Sequence, residues 1–206
     1  MGESRGLRRA ELASQDDAVF REVCGEVLVG YLGLVLPDGM PRSVALNFAT
    51  LGHDIVFHGA LEGEKYDLIQ AAPLAGFTVV KEYAYIPSNW SAPDYACPAT
   101  QFFKSIEIKG RCEPITDLQE KADALNALMV KHQPEGNYAT ITPDIPRYRK
   151  ALEHVGVFAV RCASWTGKVK FGQNEPEKLR RIFVAKLRER GRPMDDETAR
   201  EIEKTF

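Results

Sequence analysis

Cysteine is scarce in this chain, and its four copies, Cys24, Cys97, Cys112 and Cys162, include no CxxC pair. Histidine is as rare, and none of the four stands in HxxxH or HExxH spacing. No zinc or other metal site is legible, and reduced, free thiols are the expectation. Charge of one sign is also missing: 27 Lys and Arg face 29 Asp and Glu, a formal net charge of -2. That balance argues against nucleic acid or membrane held through bulk charge and points to small molecules or protein as partners. There is no apolar run of about 18 residues, as a membrane span requires. The opening MGESRGLRRAELASQDD lacks the apolar stretch of a signal peptide, and Gly6 stands where a myristoylation signal needs Ser or Thr. A cytoplasmic protein is expected. No internal repeat or low-complexity tract is visible.

What is present is a mixture of short apolar runs and turn signals. A polar tail over residues 1–14 leads into QDDAVFREVCGEV, where Val19, Phe20 and Val23 cluster at helical spacing. VLVGYLGLVL (27–36) and RSVALNFATL (42–51) flank Pro37, Asp38 and Gly39, a hairpin turn, and Gly52, His53 and Asp54 turn the chain into IVFHG. A short helix is predicted from Glu62 to Ala72, stopped by Pro73. Two more strands, LAGFTVVKEY (74–83) and FFKSIEIKGRCEPI (102–115), enclose a long proline-bearing loop, of a length usually found in functional or mobile segments. Thr116 and Gln119 form a capping-box pair before Leu118, Ala122, Leu125 and Met129, which repeat at helical spacing. VGVFAVRCASWTGKVKF (155–171) reads as the last strand. Beyond it, Asn174 with Glu177 resembles an N-cap, Leu179, Ile182, Phe183 and Leu187 line one helical face, and Asp195 is placed to cap a final helix. Seven Lys or Arg against two Glu between Pro176 and Arg192 read as the solvated face of that amphipathic helix. The expected fold is mainly β with helices (α+β), a small antiparallel barrel of six strands with peripheral helices; strands that arrive without intervening helices exclude a parallel α/β sheet.

The stretch FHGALEGEK places Lys65 where a strand hands over to a helix. The first turn of a helix offers unpaired N–H groups and the positive end of the dipole, so an anion is favoured there. Gly59 and Ala60 allow close approach to the backbone. The spacing lacks the Gly-Lys-Ser/Thr of a nucleotide-triphosphate loop, and on spacing alone a lysine here is more often solvated surface. By alternation Ile55 and Phe57 share one strand face, Val56 and His58 the other, so His58 alone is an ordinary strand-end histidine.

Taken together, RSVALNFATLGHDIVFHGALEGEKYDLIQAAP resembles the core of the FMN-binding split-barrel proteins related to pyridoxamine 5'-phosphate oxidase, and is most similar to their nitroimidazole-resistance-like branch. The ordered pair ALNF and FHGALEGEK carries the resemblance, which continues through FFKSIEIKGRCEPI and WTGKVK. It implies a split barrel over residues 15–172, here read with six strands, and FMN at the interface of a homodimer; the helical extension over 173–206 lies beyond the resembling core. Carried onto this chain, Ala45, Leu46, Asn47 and Phe48 meet the flavin through backbone groups and the Asn47 amide. His58, Gly59 and Ala60 line its ribityl and phosphate end, and Lys65 binds the phosphate. Trp165 and Lys168 are further contacts, across the dimer. The chain departs from the oxidases that make pyridoxal phosphate: Glu64 stands where they have an arginine, Ala45 replaces a frequent proline, and their C-terminal arginine motif is not visible in SWTGKVKFGQN.

The implied activity is an FMN-dependent oxidoreductase that passes electrons from a small-molecule donor to a small acceptor, nitroaromatic, quinone or similar. The cofactor carries the chemistry, with His58 as the catalytic candidate because imidazole is the local group of a type that titrates near neutrality. Two alternatives are kept: a flavin-binding regulator or electron carrier without turnover, and a haem-binding split barrel with a histidine as axial ligand.

Overall fold

The computed structural model describes residues 8–206, so the first seven residues of the polar tail lie outside the described residues. Eight strands are formed among the described residues: β1 (Ala13–Ser14), β2 (Val29–Val35), β3 (Pro41–Asn47), β4 (Ala49–Leu51), β5 (Asp54–Gly59), β6 (Leu74–Ile86), β7 (Thr100–Pro114) and β8 (Gly156–Lys170). Six α-helices accompany them: α1 (Asp17–Glu26), α2 (Glu64–Ala71), α3 (Leu118–His132), α4 (Pro146–His154), α5 (Glu177–Arg190) and α6 (Asp195–Glu203).

The sheet order is β3-β2-β6-β7-β8-β5-β4, with β1 added to β8. The β2–β3, β2–β6, β4–β5, β5–β8 and β1–β8 pairs are antiparallel. β3 and β4 end this order on opposite sides, yet Phe48 alone separates them in the chain. The sheet therefore curls until its ends meet at that residue, the α+β split barrel expected. The count is eight strands, not six. The run 42–51 breaks at Phe48, where two successive residues, Phe48 and Ala49, are both buried and the alternation loses phase.

The described residues form two compact units: a barrel unit, Phe20–Val79 with Ile106–Trp165, and a terminal unit, residues 8–19 with Val80–Ser105 and Thr166–Phe206. In the barrel unit Leu32, Ile55, Phe57, Phe77 and Phe158 are almost fully buried, and the rings of Phe57 and Phe158 stack with centroids 5.3 Å apart. Helix α3 covers β4 and β5 with Ala124 and Leu128 against Ala49, Val56, Val157 and Ala159. Its N-cap is Asp117, which accepts from the Glu120 N–H at 2.8 Å, one residue beyond the Thr116 expected. Buried Lys121 donates to the carbonyls of Leu152 (2.8 Å) and Val155 (2.9 Å), so a cation satisfies the C-terminal end of α4, where the helix dipole favours it.

In the terminal unit Tyr83, Phe102, Phe171, Phe183, Leu187 and Ile202 form a core of their own. Glu197 and Glu201 of α6 reach Lys81 and Lys104 at 2.7 and 3.0 Å. Asp195 is buried as the first residue of α6, with Met194 as N-cap, and holds the Arg190 guanidinium. Helix α5 starts after Pro176 without a side-chain cap; Asn174, expected as its cap, donates instead to Glu175. The expected solvated basic face is exposed at Lys178, Arg181, Lys186, Arg188 and Arg192, while Arg181, Arg188 and Arg190 pair with Glu177, Glu203 and Asp195. No helix among the described residues is long and apolar enough to cross a membrane.

Candidate functional site

The site is built where β5 passes into α2. Gly63 caps α2 with φ +89°, a left-handed conformation that favours glycine, and brings no side-chain oxygen to the helix's first turn. The Lys65 side chain folds back over β5. Its ammonium lies so close to Gly59 that a Cβ there would collide with it, and it sits 5.4 Å from the ring centre of Phe57 and 5.7 Å from that of Phe158. Among the described residues Lys65 has no salt bridge. The neighbouring carboxylate is taken: Glu64 accepts from Arg42 Nε of β3 at 2.7 Å. A half-buried ammonium without a counter-ion, beside an uncapped helix terminus, is an arrangement that favours an anion.

A pocket of about 290 Å³ opens in the same unit, lined by Asn47, His58, Leu125, Leu128, Met129, His132 and Ile141. Strand alternation places His58 on the face that carries Val56, and the C-terminal part of α3 supplies the apolar wall. Asn47 donates its amide to the Leu28 carbonyl at 3.2 Å, which leaves its own oxygen for a ligand. β3 is an edge strand in the sheet order, so backbone groups of Ala45 and its neighbours are not all spent within the sheet. Phe48 points inward: its ring packs on Phe77 at 5.1 Å and under Lys131 Nζ at 3.4 Å, while its carbonyl is hydrogen-bonded to His132 Nε2 at 3.1 Å. Burial lowers the Lys131 pKa to about 8, although the Cys24 thiol beside it acts in the opposite sense.

Of the residues expected at the site, Asn47 and His58 share one pocket, and Gly59 and Lys65 are in contact. Leu46 is half-buried, while Ala45 and Ala60 are exposed. Trp165 lies half-buried against Phe20 and His53, at 5.2 and 5.6 Å between ring centres. Lys168 belongs to the terminal unit and lines a different cavity there. Sequence reasoning missed Arg42, which no spacing signal links to Glu64, and His132, which continues the Leu125 and Met129 spacing on α3 and was findable on that ground. No cluster of three or more metal-binding side chains exists among the described residues.

A curled antiparallel sheet whose two ends meet beside an uncapped strand-to-helix turn defines a split-barrel protein. The chain belongs to the family described as pyridoxamine 5'-phosphate oxidase, which it matches over residues 16–169. Similar solved structures include a proposed 5-nitroimidazole antibiotic resistance protein from Bacteroides thetaiotaomicron, at 21% identity and TM-score 0.62, covering 76% of this chain and 86% of that one. The flavocytochrome Anf3 from Azotobacter vinelandii is 18% identical with TM-score 0.63 over 80% of this chain and 72% of its own. A FAD and heme binding protein from Mycobacterium smegmatis is 18% identical with TM-score 0.63 over 78% and 74%. At these identities they show the fold alone. No curated sequence matches the chain.

Proposed function

We propose that the protein is an FMN-binding flavoprotein and an oxidoreductase that transfers electrons from reduced flavin to a small acceptor, of which nitroaromatics and quinones are examples. The observation that carries this reading is Lys65: an ammonium held over Gly59, without a carboxylate, at the start of α2. A flavin phosphate has close to two negative charges, and one lysine with several backbone N–H groups can match it without strong basicity overall. Arg42 is held at the same turn by Glu64 and keeps that carboxylate occupied beside Lys65. The Asn47 amide and the β3 backbone orient the ring, while the apolar wall of α3, on the His58 face of β5 and away from Lys65, lines the pocket left to the acceptor. His58, exposed at this pocket, holds or delivers a proton at its imidazole toward the acceptor. FMN, when bound, supplies the electron-transfer chemistry.

The test is Lys65→Met. Loss of one charge-assisted hydrogen bond, on the order of 1.5 to 3 kcal/mol, weakens FMN about ten- to a hundred-fold and leaves riboflavin affinity unchanged. Equal losses for the two ligands, titrated by flavin fluorescence, would reduce Lys65 to a residue that shapes the turn.

A haem-binding reading has one observation in its favour, two histidines on one largely apolar pocket, His58 and His132. Two of the similar structures are of a flavocytochrome and of a FAD and heme binding protein. A visible spectrum of the purified protein decides: a flavin band near 450 nm or a Soret band. The regulator reading loses support because carboxylates of its own unit engage much of the basic run on α5.

A further inference from the structure

The terminal unit contains a larger cavity, about 620 Å³, whose lining shares only Lys168 with the contacts that the resemblance implies for FMN. Four cations line it, Arg8, Arg9, Lys168 and Lys170, against one carboxylate, Glu175. Lys168 and Lys170 project from the same side of β8, two residues apart, and their ammonium groups lie 5.1 and 5.6 Å from the ring centre of Phe103. Lys170 also donates to the Thr100 hydroxyl. Among the described residues none of Arg9, Lys168 and Lys170 is in a salt bridge, and Glu175 accepts from Asn174 at 2.8 Å. Like charges gathered without counter-ions repel one another; burial, Lys168 and then Arg9 all lower the Lys170 pKa. Such a cluster is at rest when an anion sits in it.

The other walls say what kind of anion. Leu12, Phe102, Leu179 and Phe183 give an apolar floor, and Ser91, Tyr95 and Thr100 bring hydroxyls from the loop between β6 and β7 and from the start of β7. We infer that this cavity binds a small organic phosphate with at least two negative charges and a flat or apolar body; its volume falls in the range of roughly 300–1,000 Å³ usual for small-molecule sites. Several walls come from outside the family-matching residues 16–169: Arg8, Arg9, Lys170, Phe183 and their neighbours. The site thus combines the long loop, inside the family match, with segments on either side of it, and it gives a role to that loop and to the C-terminal extension. It does not rest on the flavin reading.

ADP serves as the probe, an adenine body with a diphosphate, and inorganic pyrophosphate as the probe without a body. Calorimetric titration of the full chain, alone and saturated with FMN, is expected to show one ADP per chain in both conditions, tighter than pyrophosphate. Arg9→Ala and Lys170→Met, made separately, each weaken ADP at least ten-fold while FMN affinity and melting temperature stay as in the wild type. Both positions are surface or half-buried, so if one variant fails to fold, the other carries the test. The inference is overturned if ADP does not bind, if FMN displaces it, or if the folded variants bind ADP as the wild type does.

Discussion

Lys131 shows how one side chain links packing to pH at the residue scale. Its ammonium donates to the Cys24 carbonyl at 2.7 Å and sits over the Phe48 ring, both of which favour the charge, yet burial brings its pKa from 10.5 down to about 8. The unfolded chain therefore binds more protons than the folded one between pH 8 and 10.5, and this group's contribution to stability rises with pH across that window. Compared with Lys131→Met, the wild type gains stability from pH 8 to 10.5, read as a shift in denaturant midpoint; parallel curves for the two proteins would contradict it. Gly59 makes a second residue-scale prediction. Gly59→Ala sets a Cβ against the end of the Lys65 side chain, which is flexible and moves aside. FMN binding weakens about ten-fold with riboflavin unchanged, while stability stays within about 1 kcal/mol, a combination that fluorescence titration and urea unfolding check. Lys65 and His58 were legible as candidates because a strand, a glycine turn and a helix start are written in adjacent residues. Arg42 was not, because its partner Glu64 is brought to it only by the packing of α2 beside β2 and β3.

At the scale of elements, long amphipathic segments were readable and short polar ones were not. α3 and α5 repeat their apolar residues at helical spacing, whereas α4 buries only Leu152 and is anchored by its backbone carbonyls on Lys121, an interaction no periodicity displays. The caps slipped for the same reason: Thr116 and Asp117 are both competent, and the choice of Asp117 depends on where the chain leaves β7. The α5–α6 pair rests on Asp195. Burial alone raises the pKa of its carboxyl, but hydrogen bonds from the Arg190 guanidinium and the Arg192 N–H outweigh that and hold it below the usual aspartate range. A depressed carboxylate contributes stability that is present above its unfolded value and is lost as pH falls through the folded one. Acid should accordingly loosen α5 and α6 first, seen as loss of amide protection there. Asp195→Ala, which strands the Arg190 charge, destabilises these helices by about 3 kcal/mol at neutral pH; unaltered exchange in the variant would show that the helices are held by their apolar core alone.

At the scale of the whole molecule, the barrel's curl follows from sequence order, since hairpins bring successive strands together and Phe48 joins the sheet's two ends, but its outer face was beyond reach of alternation alone. β2 turns Val29, Tyr31 and Val35 outward, 42, 49 and 50% exposed, with Leu28 and Met40 exposed as well, beside the edge strand proposed to meet the flavin. One copy leaves this apolar surface to water. A second copy laid on it buries Tyr31 against its own symmetry mate's face, and two-fold interfaces of stable homodimers often exceed roughly 2,000 Å² in total. We propose a homodimer that pairs through this surface with FMN at the interface, and Tyr31→Lys, which puts a charge into that surface, is expected to give folded monomers with FMN affinity reduced at least ten-fold. Sedimentation of wild type and variant, with bound flavin followed by absorbance, checks both halves: a wild-type monomer that keeps its FMN would remove the interface from the cofactor site, and a Tyr31→Lys dimer would place the contact on another face.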